Sequence, residues 1–337
     1  MSSTASAAAH PNIAFIKYWG NKDQALRIPT NNSLSMNLKE LETRTTVSFD
    51  PSIKEDHLFL NENPAGGDAL DRVSALLERV RKIAEISTFA RVESQNNFPA
   101  GAGIASSASA FAALSLAAST AAGLSLLERD LSRLARTGSG SASRSIPGGF
   151  VEWQAGGDHE SSFAVSIAPP GHWDLVDLIL IISQDTKETG STQGHILADT
   201  SPIQKARVED AGRRLDICRS ALFNKDFPVF GDIVEQDSNL MHAVMMTSIP
   251  ALHYWLPDTL EVMRSVISWR KEGIQVCYTI DAGPNVHLLC PASEVKKVRG
   301  KLGSLGGVNS ILECSPGGPA HLLDQAVSYT HLTLPTN

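Results

Sequence analysis

The segment from Phe98 to Leu114, FPAGAGIASSASAFAAL, constrains the fold of this chain more than any other stretch. Gly101 and Gly103 permit a tight turn in which the backbone comes close to a ligand. The run of Ala, Ser and Leu that follows predicts a helix beginning near Ile104, and the first backbone N–H groups of a helix have no partner within it. A glycine-rich loop leading into a helix therefore predicts a seat for a phosphate group.

Serine hydroxyls favour that interpretation, because Ser106, Ser107 and Ser109 can hold an anion or a Mg²⁺ ion. The loop lacks the lysine of the common G-x-x-x-x-G-K-[ST] nucleotide motif. A second interpretation of the segment stays open, in which a buried Ala-rich helix simply follows a glycine turn and binds no ligand.

The pattern of apolar residues changes along the chain. Strands are predicted over residues 12–18, 43–50, 89–94, 149–154, 162–167, 175–182, 275–279, 286–289 and 310–314, and further helices over residues 68–86, 125–136, 201–223, 226–241, 257–272 and 293–305. Because strands dominate the first half and helices the second, without a regular alternation, we expect an α+β fold. The expected domains are residues 1–184 and 185–327. Residues 1–11 should be loose, and the tail 328–337 is interpreted as non-native or disordered.

Composition narrows the class of protein. A length of 337 residues suggests two domains, and 42% hydrophobic residues supply ample material for a core. The net charge of −7 argues against a nucleic-acid partner. The N-terminus does not resemble a signal peptide, and no apolar run makes a convincing membrane span. The four cysteines have neither metal-site spacing nor disulfide density, so we expect a cytoplasmic protein with reduced thiols.

Two charged residues stand out as candidates for chemistry. Asp281 ends an apolar strand and precedes Ala-Gly-Pro-Asn, where a carboxylate can orient or deprotonate a hydroxyl. It can equally cap the next turn. Lys17 lies in an apolar strand, so it either needs a buried partner, such as Asp281 or a phosphate, or extends to the strand edge.

Four motifs in a fixed order identify a resemblance. They are P-x-x-x-G-[LI]-x-S-S in the glycine-rich segment, NIAFIKYWG from Asn12, SGSASRSIPGG from Ser139 and YTIDAGPN from Tyr278. The first resembles the phosphate loop of the GHMP kinase superfamily. All four together resemble the diphosphomevalonate decarboxylase family, over residues 12–322.

This resemblance implies a fold and an activity. The fold would be GHMP-kinase-like, with an N-terminal ribosomal-S5-domain-2-like domain and a C-terminal ferredoxin-like α/β sandwich. The activity would be ATP-dependent decarboxylation of mevalonate 5-diphosphate to isopentenyl diphosphate in the mevalonate pathway, with ATP and Mg²⁺. The partners implied are a phosphorylated mevalonate and a second copy of the chain in a homodimer, with no nucleic acid and no membrane.

The resemblance also assigns residues. Those implied in catalysis are Asp281, Lys17 and Arg144, with Arg144 gripping the substrate carboxylate. Those implied in substrate binding are Tyr18, Asn21, Lys22, Ser139, Ser141, Arg144 and Ser191. Those implied in nucleotide binding are Pro99, Gly101, Ala102, Gly103, Ala105, Ser106 and Ser107, and Ser107 is also the expected Mg²⁺ ligand.

The chain departs from the family pattern at four positions. Asn21 stands where the family usually has the last lysine of Lys-Tyr-Trp-Gly-Lys, Gly190 where a serine is usual, Arg27 where Asn is frequent, and His195 where Met is usual. The changes at 21 and 190 remove groups that would hold an outer phosphate. An alternative substrate is therefore mevalonate 5-phosphate, giving isopentenyl phosphate. Two further alternatives are a small-molecule kinase that stops after phosphorylation and a catalytically dead binding protein.

Overall fold

The computed structural model of the protein describes residues 3–98, 106–185, 189–303 and 305–324. The strands are β1 (Ser3–Ala9), β2 (Asn12–Ile16), β3 (Asn21–Asp23), β4 (Ile28–Pro29), β5 (Ser33–Asn37), β6 (Thr43–Phe49), β7 (His57–Leu60), β8 (Asn63–Ala65), β9 (Ala90–Asn96), β10 (Phe150–Gln154), β11 (Phe163–Ala168), β12 (Leu175–Ile181), β13 (Cys277–Thr279), β14 (Val286–Pro291), β15 (Ser310–Cys314) and β16 (His321–Leu322). The α-helices are α1 (Asp68–Ala84), α2 (Ser106–Ala121), α3 (Glu128–Gly138), α4 (Ser191–Leu197), α5 (Gln204–Glu209), α6 (Ala211–Asn224), α7 (Phe227–Thr247), α8 (Pro257–Lys271) and α9 (Val295–Leu302). The expected α+β class is confirmed.

The N-terminal part is a six-stranded sheet, in the order β16-β1-β6-β9-β7-β8, covered by α1, α2 and α3. Along β6, buried and half-buried residues alternate, as a strand with one covered face requires. The predicted helix α2 is buried over most of its length, and its small Ala and Ser side chains let it lie close to β1 and β6. The start of α2 is thereby fixed against the sheet.

An apolar core joins the two parts of the chain. The sheet β11-β10-β5-β2 belongs to the first part and the sheet β13-β14-β12-β15 to the second. Side chains of both sheets pack with α6 and α7 in a single cluster, in which the rings of Phe15 and Phe230 meet edge to face at 4.9 Å. The two parts therefore form one packed body, and β2 lies at their junction.

Sheet membership differs from the expected domain boundaries. The strand β12 was expected in the first domain, but it pairs with β14 and β15 of the second part. The chain then returns, because β16 pairs with β1 and the Gly317 N–H donates to Asn37 O at 2.7 Å. By strand pairing, β12 therefore groups with the second part, and Pro316 and β16 group with the first. Pairing between strands distant in sequence determines which sheet each strand joins, and the spacing of apolar residues does not predict that pairing.

Other local predictions were also wrong. Residues 3–9 are not loose but form β1, in which residues 6–9 are buried beside β6 and α2. The helix expected from Ser125 begins at Glu128, without a side-chain cap. The helix expected over 201–223 is divided at Asp210 into α5 and α6. In the parts of the chain that the structure describes, no helix has the length and apolar character needed to cross a membrane. The tail 328–337 lies outside the described residues.

A buried ion pair fixes the chain where β2 ends. Arg214 of α6 and Asp237 of α7 are both fully buried and lie 2.7 Å apart. The second oxygen of Asp237 accepts the backbone N–H of Lys17 at 2.6 Å. Arg207, held through its carbonyl by Arg214, donates to the Lys17 carbonyl at 2.8 Å. Helices of the second part thus hold the backbone of Lys17 on both sides.

We expect Arg214→Met to lower the free energy of unfolding by about 3–5 kcal/mol, because it removes the buried ion-pair partner of the Asp237 carboxylate. Arg213→Met is a matched control, since Arg213 pairs with Asp210 at the surface, where its side chain is 53% exposed, and surface pairs contribute little. Urea unfolding followed by circular dichroism measures both. Equal losses in the two variants would contradict the role of the buried pair.

Candidate active site

A cavity of about 340 Å³ opens where the two parts of the chain meet. It is lined by the residues that follow β2, the start of α2, the 3₁₀ segment Gly140–Ser145, the start of α4 and the loop after β13. Most of the residues expected in the site reach it: Lys17, Tyr18, Ser106, Ser107, Ser139, Ser141, Arg144, Ser191 and Asp281. Segments distant in sequence are thus brought together around one space.

Lys17 and Asp281 form an ion pair at the cavity wall. Lys17 Nζ lies 2.6 Å from Asp281 Oδ1, and the exposed fractions of the two side chains are 2% and 27%. Helix α7 also holds the Asp281 segment, because Ser238 Oγ accepts the Ile280 N–H at 3.0 Å and His242 donates to Ile280 O. The carboxylate therefore faces the cavity while its partner lies behind it in the protein.

The electrostatics of the pair keep Asp281 ionised. Burial alone would raise the pKa of Asp281, but the charge of Lys17 and its hydrogen bond outweigh burial and hold that pKa below its usual value. Burial lowers the pKa of Lys17, and the nearby Asp281 opposes part of this change. A carboxylate held ionised and open on one side can accept a hydrogen bond from a ligand hydroxyl.

Arg144 is buried, with a relative exposure of 3%, but no carboxylate of the described residues pairs with it. Its Nε donates to Asn12 Oδ1 at 3.1 Å and its Nη1 to Ser33 Oγ at 2.7 Å. Burial lowers the pKa of the Arg144 guanidinium to about 10, so it remains charged at neutral pH. A buried cation held only by neutral groups beside a cavity is suited to bind an anion.

Aromatic rings form another wall. His195 lies between Tyr18 and Trp19, with ring centroids 4.1 and 4.6 Å away. Its Nδ1 accepts the Gly20 N–H at 3.0 Å. The Tyr18 ring comes so close to Gly140 that a Cβ at residue 140 would lie 2.6 Å from it. Glycine is therefore required there for the 3₁₀ segment to approach the ring.

The start of α2 contributes hydroxyls. Ser106 and Ser107 line the cavity, and the Ser107 and Ser139 hydroxyls are hydrogen-bonded at 3.1 Å. The other residues expected in the phosphate loop, Pro99, Gly101, Ala102, Gly103 and Ala105, lie outside the described residues. Among residues 3–98, 106–185, 189–303 and 305–324, no group of three or more His, Cys, Asp or Glu could hold a metal ion.

Two expected substrate contacts do not reach the cavity. The Asn21 side chain is buried against its own hairpin, where it accepts from Tyr18 OH at 2.5 Å and donates to Gln24 at 2.8 Å. Lys22 is exposed, and its Nζ donates to Gly156 O at 3.4 Å. Neither residue lines the cavity, so the substrate contacts expected of them stay predictions.

Four cationic or aromatic residues that were not assigned to the site also line the cavity: Trp19, Arg27, Arg72 and His195. Arg72 is on α1, and burial lowers its pKa to about 10. A departure from the family pattern drew attention to Arg27 and His195, but nothing in the sequence marked Arg72. The cations Lys17, Arg27, Arg72 and Arg144 line a cavity whose lining contains one acid, Asp281, among the described residues. This excess of positive charge favours an anionic ligand.

Comparison with known proteins gives the same family for both parts of the chain. The family model described as diphosphomevalonate decarboxylase-like N-terminal domain matches residues 9–164. The model described as mevalonate 5-diphosphate decarboxylase C-terminal domain matches residues 177–316. The second match begins within β12, which agrees with the pairing of that strand.

Relatives are similar over nearly the whole chain. The diphosphomevalonate decarboxylase of Candida albicans is 38% identical over 313 residues, which cover 88% of this chain and 86% of the relative. The crystal structure of mevalonate diphosphate decarboxylase from Staphylococcus aureus is similar with a TM-score of 0.92 and 38% identity, over 96% of this chain and 99% of that one. A protein designated MDDEF, in complex with MVAPP, AMPPCP and magnesium, has a TM-score of 0.91 and 36% identity, over 96% and 100% of the chains.

We expect Lys17→Met to raise the pKa of Asp281, because it removes the largest of the charges that oppose the effect of burial. Lys17→Arg keeps the charge and should keep that pKa low. A ¹³C NMR titration of aspartate carboxyl groups, with the Asp281 signal assigned by Asp281→Asn, measures the shift. An unchanged Asp281 titration in Lys17→Met would show that Lys17 does not control its ionisation.

Proposed function

Since the chain belongs to the diphosphomevalonate decarboxylase family, we propose that it catalyses the ATP-dependent decarboxylation of mevalonate 5-diphosphate. The products would be isopentenyl diphosphate, ADP, phosphate and CO₂. One observation carries the proposal: the Lys17–Asp281 pair and the buried Arg144 face the same cavity. A base for a hydroxyl and a cation for a carboxylate are the two groups that this reaction needs.

The residues present fit ATP and Mg²⁺. Ser106 and Ser107 stand in the first turn of α2, where free backbone N–H groups favour phosphate. Mg²⁺ prefers oxygen ligands and commonly uses few from the protein, so nucleotide phosphates with the Ser107 hydroxyl form a suitable set. The related complex with MVAPP, AMPPCP and magnesium supports the same pair of ligands here. ATP supplies the phosphoryl group, and the protein contributes positioning and charge.

The first step is phosphoryl transfer to the tertiary 3-hydroxyl. The ionised Asp281 accepts the hydrogen bond of this hydroxyl and orients its oxygen. It takes the proton as the new O–P bond forms and the bond from the γ-phosphorus to the oxygen of ADP breaks. Lys17 keeps the carboxylate ionised and offsets negative charge on the phosphoryl oxygens. The open side of Asp281, 27% exposed, is where the hydroxyl has to approach.

The second step breaks two bonds. The new phosphate leaves with the electrons of the C3–O bond, and the electrons of the bond to the carboxylate then form the carbon–carbon double bond as CO₂ departs. Arg144 holds the carboxylate in one orientation, which Asn12 and Ser33 fix through the guanidinium. The Ser139 and Ser141 hydroxyls lie along the same wall and suit other substrate oxygens.

A second candidate substrate is mevalonate 5-phosphate. It is favoured by the observation that neither Asn21 nor Lys22 lines the cavity, so positions 21 and 22 supply no cation for an outer phosphate. The diphosphate remains the first proposal, because Arg27 and Arg72 line the cavity and can take up the additional charge. A kinase that stops after phosphorylation is the further alternative, and release of CO₂ distinguishes it.

We also propose that the protein is a cytoplasmic homodimer acting in isoprenoid biosynthesis. The four cysteines are buried free thiols, as a reducing compartment requires. Helix α8 carries the exposed apolar side chains Leu260 and Ile267, which a second subunit could cover. Sedimentation equilibrium tests the dimer, and a monomer at micromolar concentration would contradict it.

The function is tested with mevalonate diphosphate labelled at its carboxyl carbon, ATP and Mg²⁺. We expect stoichiometric release of labelled CO₂ and ADP. In Asp281→Asn, which removes the charge but keeps the shape, kcat should fall by about 10²- to 10⁴-fold while nucleotide binding persists. Asp216→Asn is the matched control, at a side chain that is 73% exposed. Near-normal turnover in Asp281→Asn would exclude the assigned role.

Substrate choice is tested by kcat/KM for the two esters in wild type and in Asn21→Lys. We expect wild type to prefer the diphosphate and Asn21→Lys to leave the ratio unchanged, because the side chain at position 21 is buried against its own hairpin and does not line the cavity. An increase in that preference of about 10- to 100-fold, the value of one charged contact, would instead mean that a lysine there reaches the outer phosphate. A strong wild-type preference for the monophosphate would favour the second candidate.

A further inference from the structure

Two residues at which the chain departs from its family pattern meet at the same end of the cavity. Arg27 is in the turn between β3 and β4, and His195 is in α4, 168 positions later, yet both line the cavity. Position 21, the third departure in this region, does not line it. The cationic group of the β3–β4 hairpin that faces the ligand is therefore Arg27.

Arg27 presents unused charged donors. Its Nε donates to Thr137 O at 3.2 Å, which fixes the guanidinium against α3. Among the described residues, no acceptor lies within hydrogen-bond distance of its two terminal NH₂ groups, and no carboxylate pairs with it. Its backbone has a φ of 51°, a left-handed conformation that Gly or Asn adopts more readily. The conformation of the turn therefore does not explain why an arginine is present at this position.

His195 presents an unused neutral donor. Burial lowers its pKa to about 3, with the charge of Arg27 adding to the effect, so the ring is neutral. Because Nδ1 accepts the Gly20 N–H, the single ring proton is on Nε2. Nε2 has no hydrogen-bond acceptor within the described ranges. Stacking between Tyr18 and Trp19 holds the ring, so this donor has a fixed direction.

The two donors lie away from the Lys17–Asp281 pair. The charge of Arg27 acts on His195, Tyr18 and Arg72, and it is not among the main charges that act on Asp281, of which Lys17 is the largest. A ligand whose hydroxyl is at Asp281 and whose carboxylate is at Arg144 would extend its other end toward Arg27. In a phosphorylated mevalonate, that end carries the phosphate.

We propose that Arg27 and His195 form the subsite for the terminal phosphate of the substrate ester, a role that rests on the function proposed above. The guanidinium supplies two charged donors and the imidazole one neutral donor, which match the oxygens of a phosphate. His195 is a positioning residue with a fixed tautomer. The subsite serves a monophosphate or the outer group of a diphosphate, and charge at position 27 takes the place of charge at position 21.

The experiment measures binding in the absence of ATP, by calorimetry, with phosphorylated mevalonate and with unphosphorylated mevalonate. We expect Arg27→Gln to weaken binding of the phosphorylated ligand by about 10- to 100-fold and His195→Met by about 10-fold, as for loss of a charged hydrogen bond. Binding of unphosphorylated mevalonate should be unchanged. His195→Gln retains an N–H donor and should bind more tightly than His195→Met.

Lys205→Gln is the matched control, because it removes a positive charge from a side chain that is 87% exposed and does not line the cavity. We expect it to bind both ligands as wild type does. An equal loss for both ligands in Arg27→Gln and His195→Met, or no loss for either, would overturn the subsite. The proposed function and the subsite can fail independently. If the protein releases no CO₂ from any ester, the function is refuted, but these variants should still lose phosphate binding. If the protein is active and the variants bind as wild type does, only the subsite is refuted.

Discussion

The position of Lys17 is the constraint on which the rest of the site depends. Its backbone N–H is bound by Asp237 and its carbonyl by Arg207, and its ammonium group is 2.6 Å from Asp281. One residue thus connects β2 of the first part, α7 of the second and the loop after β13. The cavity exists at the junction because these contacts hold both parts against the end of β2.

Burying this lysine is costly, and the structure offsets the cost with neighbouring charges. Desolvation disfavours each buried ion, but Asp237 is neutralised by Arg214 and Lys17 by Asp281. The pairs lie next to each other, so removal of one charge affects the others. Such a network fixes geometry more than it adds stability, which is suited to a site where a carboxylate has to meet one hydroxyl.

The cavity itself is left with unbalanced positive charge. Arg144 is buried among neutral partners, and Arg27 has free donors. Guanidinium groups without an anionic partner lower the stability of the ligand-free protein, and a bound anion compensates for their charge. Binding of an anionic substrate therefore also neutralises the excess positive charge of the cavity. The neutral Nε2–H group of His195 adds a hydrogen-bond donor of fixed direction without adding charge.

The sequence by itself determined the α+β class and most helices and strands, because apolar periodicity is a local property. Its four short motifs are local as well, and they marked Lys17, Arg144 and Asp281 as candidates for the site. Only the tertiary structure decided that β12 joins the second sheet and that β16 returns to β1. It also decided that Lys22 points toward Gly156 while Arg27 faces the cavity. These outcomes depend on hydrogen bonds and packing between segments more than one hundred residues apart, which no local pattern records.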